Sequence, residues 1–339
     1  MRQFALPPTP PQRRQTYYVH RKLVFPMDGQ YVVTGGAGFI GSAIVRSLLR
    51  EGARSVVVID NLLSGRESNL EEIRRSVDFE RADICEYEQI APLIRGAAVV
   101  FHEAAIPSVT RSIVDPLPSH EVNINGTFNV LRAAQEGKAG RIVYAASSSA
   151  YGDTEALPKV ETMTPRPKSP YALQKLVGEY YANVFSSVFG VEAVALRYFN
   201  VYGPRQDPSS PYSGVLSLFM KAILERRSPT IFGDGEQSRD FTYVEDVAAL
   251  NLKAARVPNV SGRLYNAGNG SRITINEAWA LLQRLEGIIL PARYGPPRAG
   301  DVRHSQADMT AAARDLGHVP QFSFEEGVRR TLAWYRDGH

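Results

Sequence analysis

A tyrosine and a lysine that could together move a proton lie four positions apart in the segment YALQK (171–175). On a helix, this spacing places both side chains on one face. A phenol has a pKa near 10 in water, and a neighbouring ammonium group favours its phenolate form, so Tyr171 could act as a general base with the help of Lys175. Tyr18 and Lys22 have the same spacing, so the pair predicts a site only in the right context.

That context is a run of three serines that begins at Ser147, directly after an apolar segment at 142–145 that reads as a buried strand. Open parallel sheets bind ligands at the carboxyl ends of their strands. We therefore expect Tyr171, Lys175 and Ser147 to be catalytic, with Ser147 bonding the same substrate hydroxyl as Tyr171. The alternative is that Tyr171 is a core aromatic residue and Lys175 a solvated surface residue.

Glycines recur at positions 35, 38 and 41 in the segment TGGAGFIG (34–41), between a strand pattern and a helical pattern. In such a turn Gly35 permits the tight bend, Gly38 lets a pyrophosphate approach the backbone, and Gly41 lets helix and strand pack closely. The helix N-terminus adds a favourable field for an anion. The segment therefore predicts a dinucleotide site, and an oxidised nicotinamide would add positive charge near Tyr171.

Acidic residues after the next two predicted strands fit the same interpretation. Asp60 stands at the end of the second strand, where a carboxylate can bind the adenosine ribose hydroxyls and would repel a 2'-phosphate. This favours NAD over NADP. Asp83 and Ile84 follow the third strand and could contact the adenine, although an acidic residue there could equally cap a helix.

Short apolar segments alternate with helical patterns through the first 200 residues, which is typical of a parallel sheet covered on both faces. Beyond residue 200, loops rich in Gly, Pro and Ser break this rhythm. We predict an α/β fold: a Rossmann-like doubly wound parallel sheet (27–200) with a smaller C-terminal α/β substrate-binding lobe (201–339), partly interleaved with the first. We expect strands at 31–33, 56–59, 77–80, 98–101, 142–145 and 193–197, and helices at 86–95, 119–136, 170–189, 213–226, 275–286 and 324–336.

Composition narrows the class of protein. The 339 residues carry 39 Lys and Arg against 35 Asp and Glu, a net charge of +4, so a nucleic-acid surface would need strong clustering. Basic residues and prolines do cluster at 1–26, which we interpret as a poorly ordered extension; translation could equally start at Met27.

Cys85 is the single cysteine, which excludes an intrachain disulfide and favours a reducing compartment. No apolar run approaches the ~20 residues of a membrane span. We expect a cytoplasmic enzyme without a metal ion.

Together, the glycine segment, Asp60, the serine run followed by Tyr151 and Gly152, and the YALQK segment resemble the extended short-chain dehydrogenase/reductase family over residues 30–336. Further segments resemble its nucleotide-sugar 4-epimerases, closest to the branch acting on UDP-N-acetylhexosamines. These segments are FHEAAIPSV (101–109), RSIVDP (111–116), YAASSSAYGD (144–153), LPKVE (157–161), LRYFNVYGPRQDP (196–208), GDGEQSRDFTYVEDV (233–247) and GDVRHSQAD (300–308).

The resemblance implies a cofactor site, a substrate site and no metal. The implied NAD-binding residues are Gly35, Gly38, Phe39, Ile40, Gly41, Asp60, Asn61, Ser64, Gly65, Asp83, Ile84, Ala104, Ala105, Asn123, Tyr171, Lys175 and Tyr198. The implied substrate-binding residues are Ser108, Ser147, Ser148, Ser149, Asn200, Val215, Ile231, Phe232, Arg239, Arg298, Asp301 and Ser305. Among these, Arg239 and Arg298 would bind the diphosphate and Asp301 the uridine ribose. Surface ion pairing with Asp240 is the alternative for Arg239.

The resemblance also separates two reactions. The related 4,6-dehydratases carry an Asp-Glu pair directly after the strand-five Ser or Thr, whereas this chain has Ser148 and Ser149. Neither hydroxyl can act as a carboxylic acid, so epimerisation is favoured. Tyr171 would remove the 4-OH proton as hydride moves from C4 to NAD, which is regenerated in each turnover and should stay tightly bound.

Sugar choice depends on Ser305. By resemblance, epimerases restricted to UDP-glucose and UDP-galactose carry a tyrosine there, and a small residue leaves room for a 2-acetamido group. We expect interconversion of UDP-GlcNAc and UDP-GalNAc, with the unacetylated pair as a secondary activity, in a homodimer joined by a four-helix interface. The alternatives are a UDP-glucose 4-epimerase or another nucleotide-sugar epimerase or dehydratase such as a UDP-uronate epimerase. A catalytically inactive dinucleotide-binding regulator and an RNA-binding leader are two further alternatives.

Overall fold

Strands and helices alternate along the residues that the computed structural model describes, 29–208, 214–297 and 302–337. The expected extension at 1–26 lies outside these residues. The strands are β1 (Gln30–Thr34), β2 (Ser55–Ile59), β3 (Asp78–Glu80), β4 (Val99–His102), β5 (Ile142–Ser147), β6 (Ala193–Tyr198), β7 (Asn200–Tyr202), β8 (Thr230–Phe232), β9 (Ser238–Arg239), β10 (Phe241–Tyr243), β11 (Arg263–Ala267), β12 (Ile273–Thr274) and β13 (Arg293–Gly295). The helices are α1 (Phe39–Arg50), α2 (Tyr87–Ile94), α3 (Val109–Val114), α4 (Pro116–His120), α5 (Thr127–Glu136), α6 (Pro170–Phe189), α7 (Val215–Leu224), α8 (Val244–Arg256), α9 (Ile275–Glu286), α10 (Thr310–Leu316) and α11 (Phe324–Arg336).

The central sheet has seven parallel strands in the order β3-β2-β1-β4-β5-β6-β11. Its strands are apolar runs because both faces of a parallel sheet are covered. The order reverses at β1, which pairs with β2 on one side and β4 on the other. A crevice forms at such a reversal, at the carboxyl ends of the strands. This arrangement confirms the predicted Rossmann-like α/β fold.

A layer of helices covers each face of the sheet, and alternate side chains of β1 pack against the two layers. Tyr31 and Val33 belong to the core beneath α1 and α8. Val32 belongs to the opposite core, beneath α2, α5 and α6. All three side chains are fully buried, so the sheet is a rigid platform for the loops at its carboxyl edge.

The chain re-enters this sheet layer after residue 200, where the sequence suggested a second lobe. Helix α8 packs against α1, and β11 pairs with β6 from Arg263 opposite Val194 to Ala267 opposite Tyr198. Helix α10 then packs on α8 and β11. The second lobe has its own core, built from β7, β8, β10, α7, α9 and α11. The two lobes are therefore interleaved along the chain.

The segment expected to be one helix at 119–136 is instead α4, a π-helical turn at Glu121–Gly126, and α5. Asp115 caps α4, and Pro116 occupies its first turn, which starts the helix early. The wider turn ends at Gly126, where a Cβ would lie 2.6 Å from the Ile84 side chain. Single π-helical turns are frequent at functional sites, and this one carries the buried Asn123.

Candidate active site

The glycine turn at the junction of β1 and α1 is packed so closely against backbone that a side chain would not fit at two of its positions. Gly35 has a φ of +69°, and a Cβ there would lie 2.7 Å from the backbone nitrogen of Ala104. A Cβ at Gly41 would lie 2.2 Å from the Gly35 oxygen. Gly38 caps α1 without any side chain, and Phe39 and Ile40 in the first turn are half-buried. The exposed end of the helix backbone suits a pyrophosphate.

Asp60 is held at the carboxyl end of β2 by the glycine turn itself. Its carboxylate accepts hydrogen bonds from the backbone N–H of Ala37 at 3.0 Å and of Leu62 at 2.8 Å. Burial raises the pKa of Asp60, and these two hydrogen bonds oppose the rise. A Cβ at Gly65 would lie 2.7 Å from the Asp60 carboxylate, so glycine there lets the loop close over it. The preceding residue, Ser64, is exposed.

The loops after β2 and β3 are joined where the adenine end of a dinucleotide would lie. The Asn61 amide donates to the Asp83 carboxylate at 2.9 Å, and the backbone N–H of Cys85 donates to the same carboxylate at 2.8 Å. Burial acts to raise the pKa of Asp83, but these hydrogen bonds lower it overall. Ile84 is buried in the core beneath α2 and α5.

The loop after β4 runs beside the glycine turn and is anchored from beneath. Ala104 and Ala105 are half-buried in it. The side chain of Asn123 bonds both backbone groups of Ile106, at 2.8 and 3.2 Å, and also Gln174 on α6, at 3.0 Å. Asn123 thus acts on the cleft through the loop that it holds.

Tyr198, at the end of β6, is likewise engaged by protein groups. Its hydroxyl donates to the Glu103 carboxylate at 2.7 Å and accepts from the Asn251 amide at 2.8 Å.

Tyr171 and Ser147 meet at the carboxyl edge of the sheet. Ser147 is the last residue of β5, and its hydroxyl lies 2.8 Å from that of Ser149 and close enough to the Tyr171 phenol to lower its pKa. Ser148 is half-buried beside them. Burial raises the pKa of Tyr171, and the bond to Ser147 opposes the rise. The sequence had predicted this juxtaposition from helix spacing and strand position.

Residues at its N-terminus determine where helix α6 begins, and this start places Tyr171 at the cleft. The Ser169 hydroxyl accepts from the N–H of Ala172 at 3.1 Å, and Pro170 occupies the first turn. The N–H of Tyr171 donates to the Ser112 hydroxyl on α3 at 3.1 Å. The Ser169 cap and the bond to Ser112 fix the backbone at Tyr171. The phenol is therefore held in position before a substrate binds.

Lys175 is buried one turn further along α6, with 3% of its surface exposed. Burial lowers its pKa to about 8, and the carboxylates of Glu103 and Glu179 oppose the fall. The ammonium therefore keeps its charge at neutral pH. Three residues near this charge, His102 in β4, Glu103 directly after it and Tyr144 in β5, were not predicted, because a polar residue within or just after an apolar strand run gives no spacing signal.

Five further predicted substrate residues lie in the described part of the chain. Ser108 caps α3 by accepting from the N–H of Arg111 at 3.1 Å. Asn200 is exposed at the start of β7, and Val215 is half-buried at the start of α7. Phe232 is half-buried, whereas the Ile231 side chain is 1% exposed and packs in the core of the second lobe. Only backbone groups of Ile231 could therefore face a ligand.

Arg239 and Ser305 lie side by side through β9. The Arg239 guanidinium donates to the Ser238 and Arg303 carbonyls at 2.9 and 3.3 Å. The N–H of Ser305 donates to the Ser238 carbonyl at 3.1 Å, and its hydroxyl accepts from the N–H of Asp240 at 3.3 Å. The small Ser305 side chain is therefore packed against the strand that carries Arg239.

The neighbouring carboxylate, Asp240, is occupied by backbone donors. It accepts from the N–H groups of Ala307, Asn269 and Gly270 at 2.7–2.9 Å. Burial raises the pKa of Asp240 to about 6, against these hydrogen bonds. Such a carboxylate organises the loops around β9, a role that the alternative of a surface pair did not foresee.

Arg298 and Asp301, predicted to bind the diphosphate and the ribose, lie outside the described residues. Within the described ranges, no group of three or more His, Cys, Asp or Glu side chains could hold a metal ion. In the same ranges, no helix has the length and apolarity to cross a bilayer.

A doubly wound sheet with a glycine turn, a carboxylate after β2 and a Tyr-Lys-Ser constellation at its carboxyl edge defines a dinucleotide-dependent enzyme acting on an alcohol. The model of the NAD dependent epimerase/dehydratase family matches residues 31–268. The chain belongs to this family.

Individual relatives agree with that assignment. The chain is 38% identical to a putative UDP-glucose 4-epimerase of Methanocaldococcus jannaschii, over 91% of this chain and 99% of the relative. A UDP-N-acetylglucosamine 4-epimerase from Methanobrevibacter ruminantium, solved with UDP-N-acetylmuramic acid, has a TM-score of 0.88 at 36% identity, over 92% of this chain and 99% of that chain. A Thermus thermophilus UDP-glucose 4-epimerase, solved with NAD, has a TM-score of 0.84 at 35% identity, over 91% and 100%.

These findings confirm the predicted nucleotide-sugar epimerase class of the extended short-chain dehydrogenase/reductases, and NAD as the cofactor. The residues present fit the dinucleotide, because Gly38 leaves the N-terminus of α1 without a side chain, and the Asp60 carboxylate is held beside this turn at the end of β2.

Proposed function

We propose that this protein interconverts UDP-GlcNAc and UDP-GalNAc by inverting C4, and acts more slowly on UDP-glucose and UDP-galactose. The observation that carries the proposal is the placement of Tyr171 beside Ser147 at the carboxyl edge of the sheet, with the buried Lys175 one helical turn further along α6. A base, a hydroxyl donor and a cation then converge on one substrate alcohol.

The chain's own residues move the proton. Tyr171 accepts the proton of the sugar 4-OH and later returns it, while Ser147 holds that oxygen in place. A positive charge on Lys175, one helical turn away, would favour the phenolate of Tyr171, whose pKa burial raises. Bound NAD supplies the hydride acceptor and donor at C4. Because no reducing equivalent leaves the site, the cofactor is recovered in every turnover.

Two serines support epimerisation over elimination. A 4,6-dehydratase needs an acid for the C6 hydroxyl and a base for the C5 proton, and carboxyl groups serve both roles. Here the residues after Ser147 are Ser148 and Ser149, and the Ser149 N–H bonds the Ser147 hydroxyl at 3.2 Å. The turn therefore presents hydroxyl groups alone.

The small side chain at position 305 supports an acetylated substrate. Ser305 is half-buried against β9, beside Arg239. A tyrosine in its place would fill space that a 2-acetamido group could take, and an enlarged pocket rejects the smaller sugar only weakly. Both sugar pairs should therefore react, with the acetylated pair preferred.

The test is a comparison of kcat/KM for UDP-GlcNAc, UDP-glucose and UDP-glucuronate, with the C4 epimers separated by chromatography. We expect the highest value for UDP-GlcNAc. A preference for UDP-glucose would overturn the sugar assignment, and turnover of the uronate alone would make the protein a UDP-uronate epimerase. Tyr171→Phe should abolish turnover and retain NAD, whereas Tyr180→Phe, on the exposed side of the same helix, should keep both turnover and bound NAD.

We also propose that two copies associate through α5 and α6. Monomers rarely expose contiguous apolar surface of this extent. The exposed apolar side chains on α3 to α6 are Ile113, Val114, Leu117, Phe128, Leu173, Tyr180, Val184, Val188 and Phe189. Sedimentation should give a dimer for the full chain and a monomer for Val184→Asp. A monomeric parent protein would exclude the interface.

A further inference from the structure

Tyr144 lies directly beneath the Lys175 ammonium. The nitrogen of Lys175 is 4.5 Å from the centroid of the Tyr144 ring. The ring is 1% exposed and Lys175 is 3% exposed, so water does not separate them. A cation over an aromatic face at this distance is attracted to it, and more strongly when both groups are desolvated.

The Tyr144 hydroxyl is fixed to the helix that carries the lysine. It donates to the Lys175 carbonyl at 3.1 Å. The approach depends on Gly178, where a Cβ would lie 2.0 Å from the same hydroxyl oxygen. Tyr144 therefore contacts both the backbone and the charged end of Lys175, and its orientation is determined by the helix.

His102 also packs against the ring, with the two ring centroids 5.7 Å apart. One nitrogen of His102 bonds the Thr34 hydroxyl at 2.7 Å, and the other bonds the Thr127 hydroxyl at 3.0 Å. Burial, together with Lys175, lowers the pKa of His102 to about 3, so it is neutral. Thr34 ends β1, so this support reaches the start of the glycine turn.

We propose that Tyr144 is a positioning residue for catalysis: its ring face holds the Lys175 ammonium charged and in place beside Tyr171. This inference rests on the proposed function of Tyr171 and Lys175 and adds a residue to it. Tyr144 lies on β5, three residues before Ser147, and reaches no substrate position itself.

Three titratable groups lie near the Lys175 charge besides the ring: Glu179 on α6, His102 on β4 and Glu103 after β4. The Tyr144 hydroxyl contacts the Lys175 carbonyl, and Tyr171 lies one helical turn away on α6. The carboxylates of Glu103 and Glu179 favour the charged form of Lys175, as the ring does. Burial favours the neutral form of Lys175. Since the carboxylates are not altered when the ring is changed, the contribution of the ring can be measured separately.

The experiment changes the charge distribution of the ring at position 144 while its shape stays nearly the same. Tyr144→Phe retains the aromatic face and removes the hydroxyl; fluorinated phenylalanines at position 144 then weaken the face in steps. Activity requires Lys175 protonated and Tyr171 able to accept a proton, so the alkaline limb of the kcat profile follows Lys175. We expect Phe to keep this limb and each fluorine to lower it, by about one pH unit in total, or about 1.4 kcal/mol of cation–π attraction.

A second readout does not use turnover. The tyrosinate absorbance of the NAD-loaded protein, with the matching Tyr171→Phe protein subtracted, reports the pKa of Tyr171. Fluorination should raise that pKa in parallel with the kinetic shift. Tyr265→Leu, which removes another buried ring of the same sheet, should lower stability without moving either readout.

Two failures are distinguishable. If the parent protein epimerises no UDP-hexose, the proposed function is wrong. If the parent is active but neither the alkaline limb nor the Tyr171 titration follows the fluorine series, Tyr144 is a packing residue and the inference is wrong.

Discussion

The α-carbon of Gly178 lies so close to Tyr144 that a Cβ on Gly178 would stand 2.0 Å from the phenolic oxygen and 2.4 Å from the carbon that bears it. Helix α6 therefore approaches β5 more closely at this point than any side chain would allow. This contact sets the height of α6 above the sheet, and with it the height of Tyr171 and Lys175.

Replacing Gly178 with alanine tests that contact. Alanine normally stabilises a helix interior by about 1 kcal/mol relative to glycine. Here we expect a net loss of about 1–3 kcal/mol, because the helix or the ring must shift. Urea unfolding measures this change in the free energy of unfolding. Adding Tyr144→Leu to the Gly178→Ala protein should restore part of the lost stability. A more stable Gly178→Ala protein would show that the contact is loose.

The glycine turn should control cofactor content. Gly41→Ala places a Cβ 2.2 Å from the Gly35 oxygen, whereas Gly38→Ala places one at 3.0 Å from the same atom. We expect both variants to lose bound NAD: Gly38→Ala because its Cβ stands where the pyrophosphate approaches, and Gly41→Ala because the turn must shift. The NAD released per chain on denaturation is the measurement. Equal, full loading of both variants would contradict a close approach at Gly41.

Ser305→Tyr should change the choice of sugar. The phenol would occupy space beside Arg239 that we assign to the acetamido group. The ratio of kcat/KM for UDP-GlcNAc to that for UDP-glucose should fall by at least about tenfold, since steric selection in such pockets spans about 10–200-fold. An unchanged ratio would remove Ser305 from the determinants of specificity.

Glu103 should make stability depend on pH. Burial raises its pKa from 4.5 to about 7, against the hydrogen bond from Tyr198 and the charge of Lys175. Between pH 4.5 and about pH 7 the folded protein keeps a proton on Glu103 that the unfolded chain has released. The free energy of unfolding therefore falls as pH rises through this range. Glu103→Gln should flatten this dependence in urea titrations from about pH 5 to 8. Glu155→Gln, at an exposed position, is the control; equal slopes in both variants would refute the assignment.

The ion pair of Arg197 with Glu179 is buried, with side chains 2% and 5% exposed. Removing one partner leaves the other charge uncompensated, so Arg197→Met should cost about 3–5 kcal/mol. Combining it with Glu179→Leu should recover most of the loss. Arg330→Ala breaks an exposed pair with Glu326 and should cost under about 1 kcal/mol. Additive losses in the double variant would mean that the charges do not compensate each other.

The sheet and the cofactor turn could be predicted because their signals are local. Apolar runs such as 56–59 became β2, and the glycines at 35 and 38 lie between β1 and α1, with Gly41 in the first turn of α1. The pairing of Tyr171 with Ser147 also followed from local pattern, since helix spacing and the end of a strand are visible in the sequence.

Long-range placement could not be predicted in the same way. Helix α8 and β11 return to the first lobe, but their sequence periodicity does not say which surface they cover. Asn123, Tyr144 and Glu103 act through partners 17 to 95 positions away. Such contacts depend on the folded topology, and only the family resemblance pointed to Asn123.

The alternation of the chain between its lobes limits how this protein can be rebuilt. Neither lobe is a continuous stretch of polypeptide, so no single cut separates a nucleotide-binding fragment from a sugar-recognising one. A chimaera that borrows the recognition surface of a related enzyme would have to be grafted at several junctions at once, each in register with β11, α8 and α10.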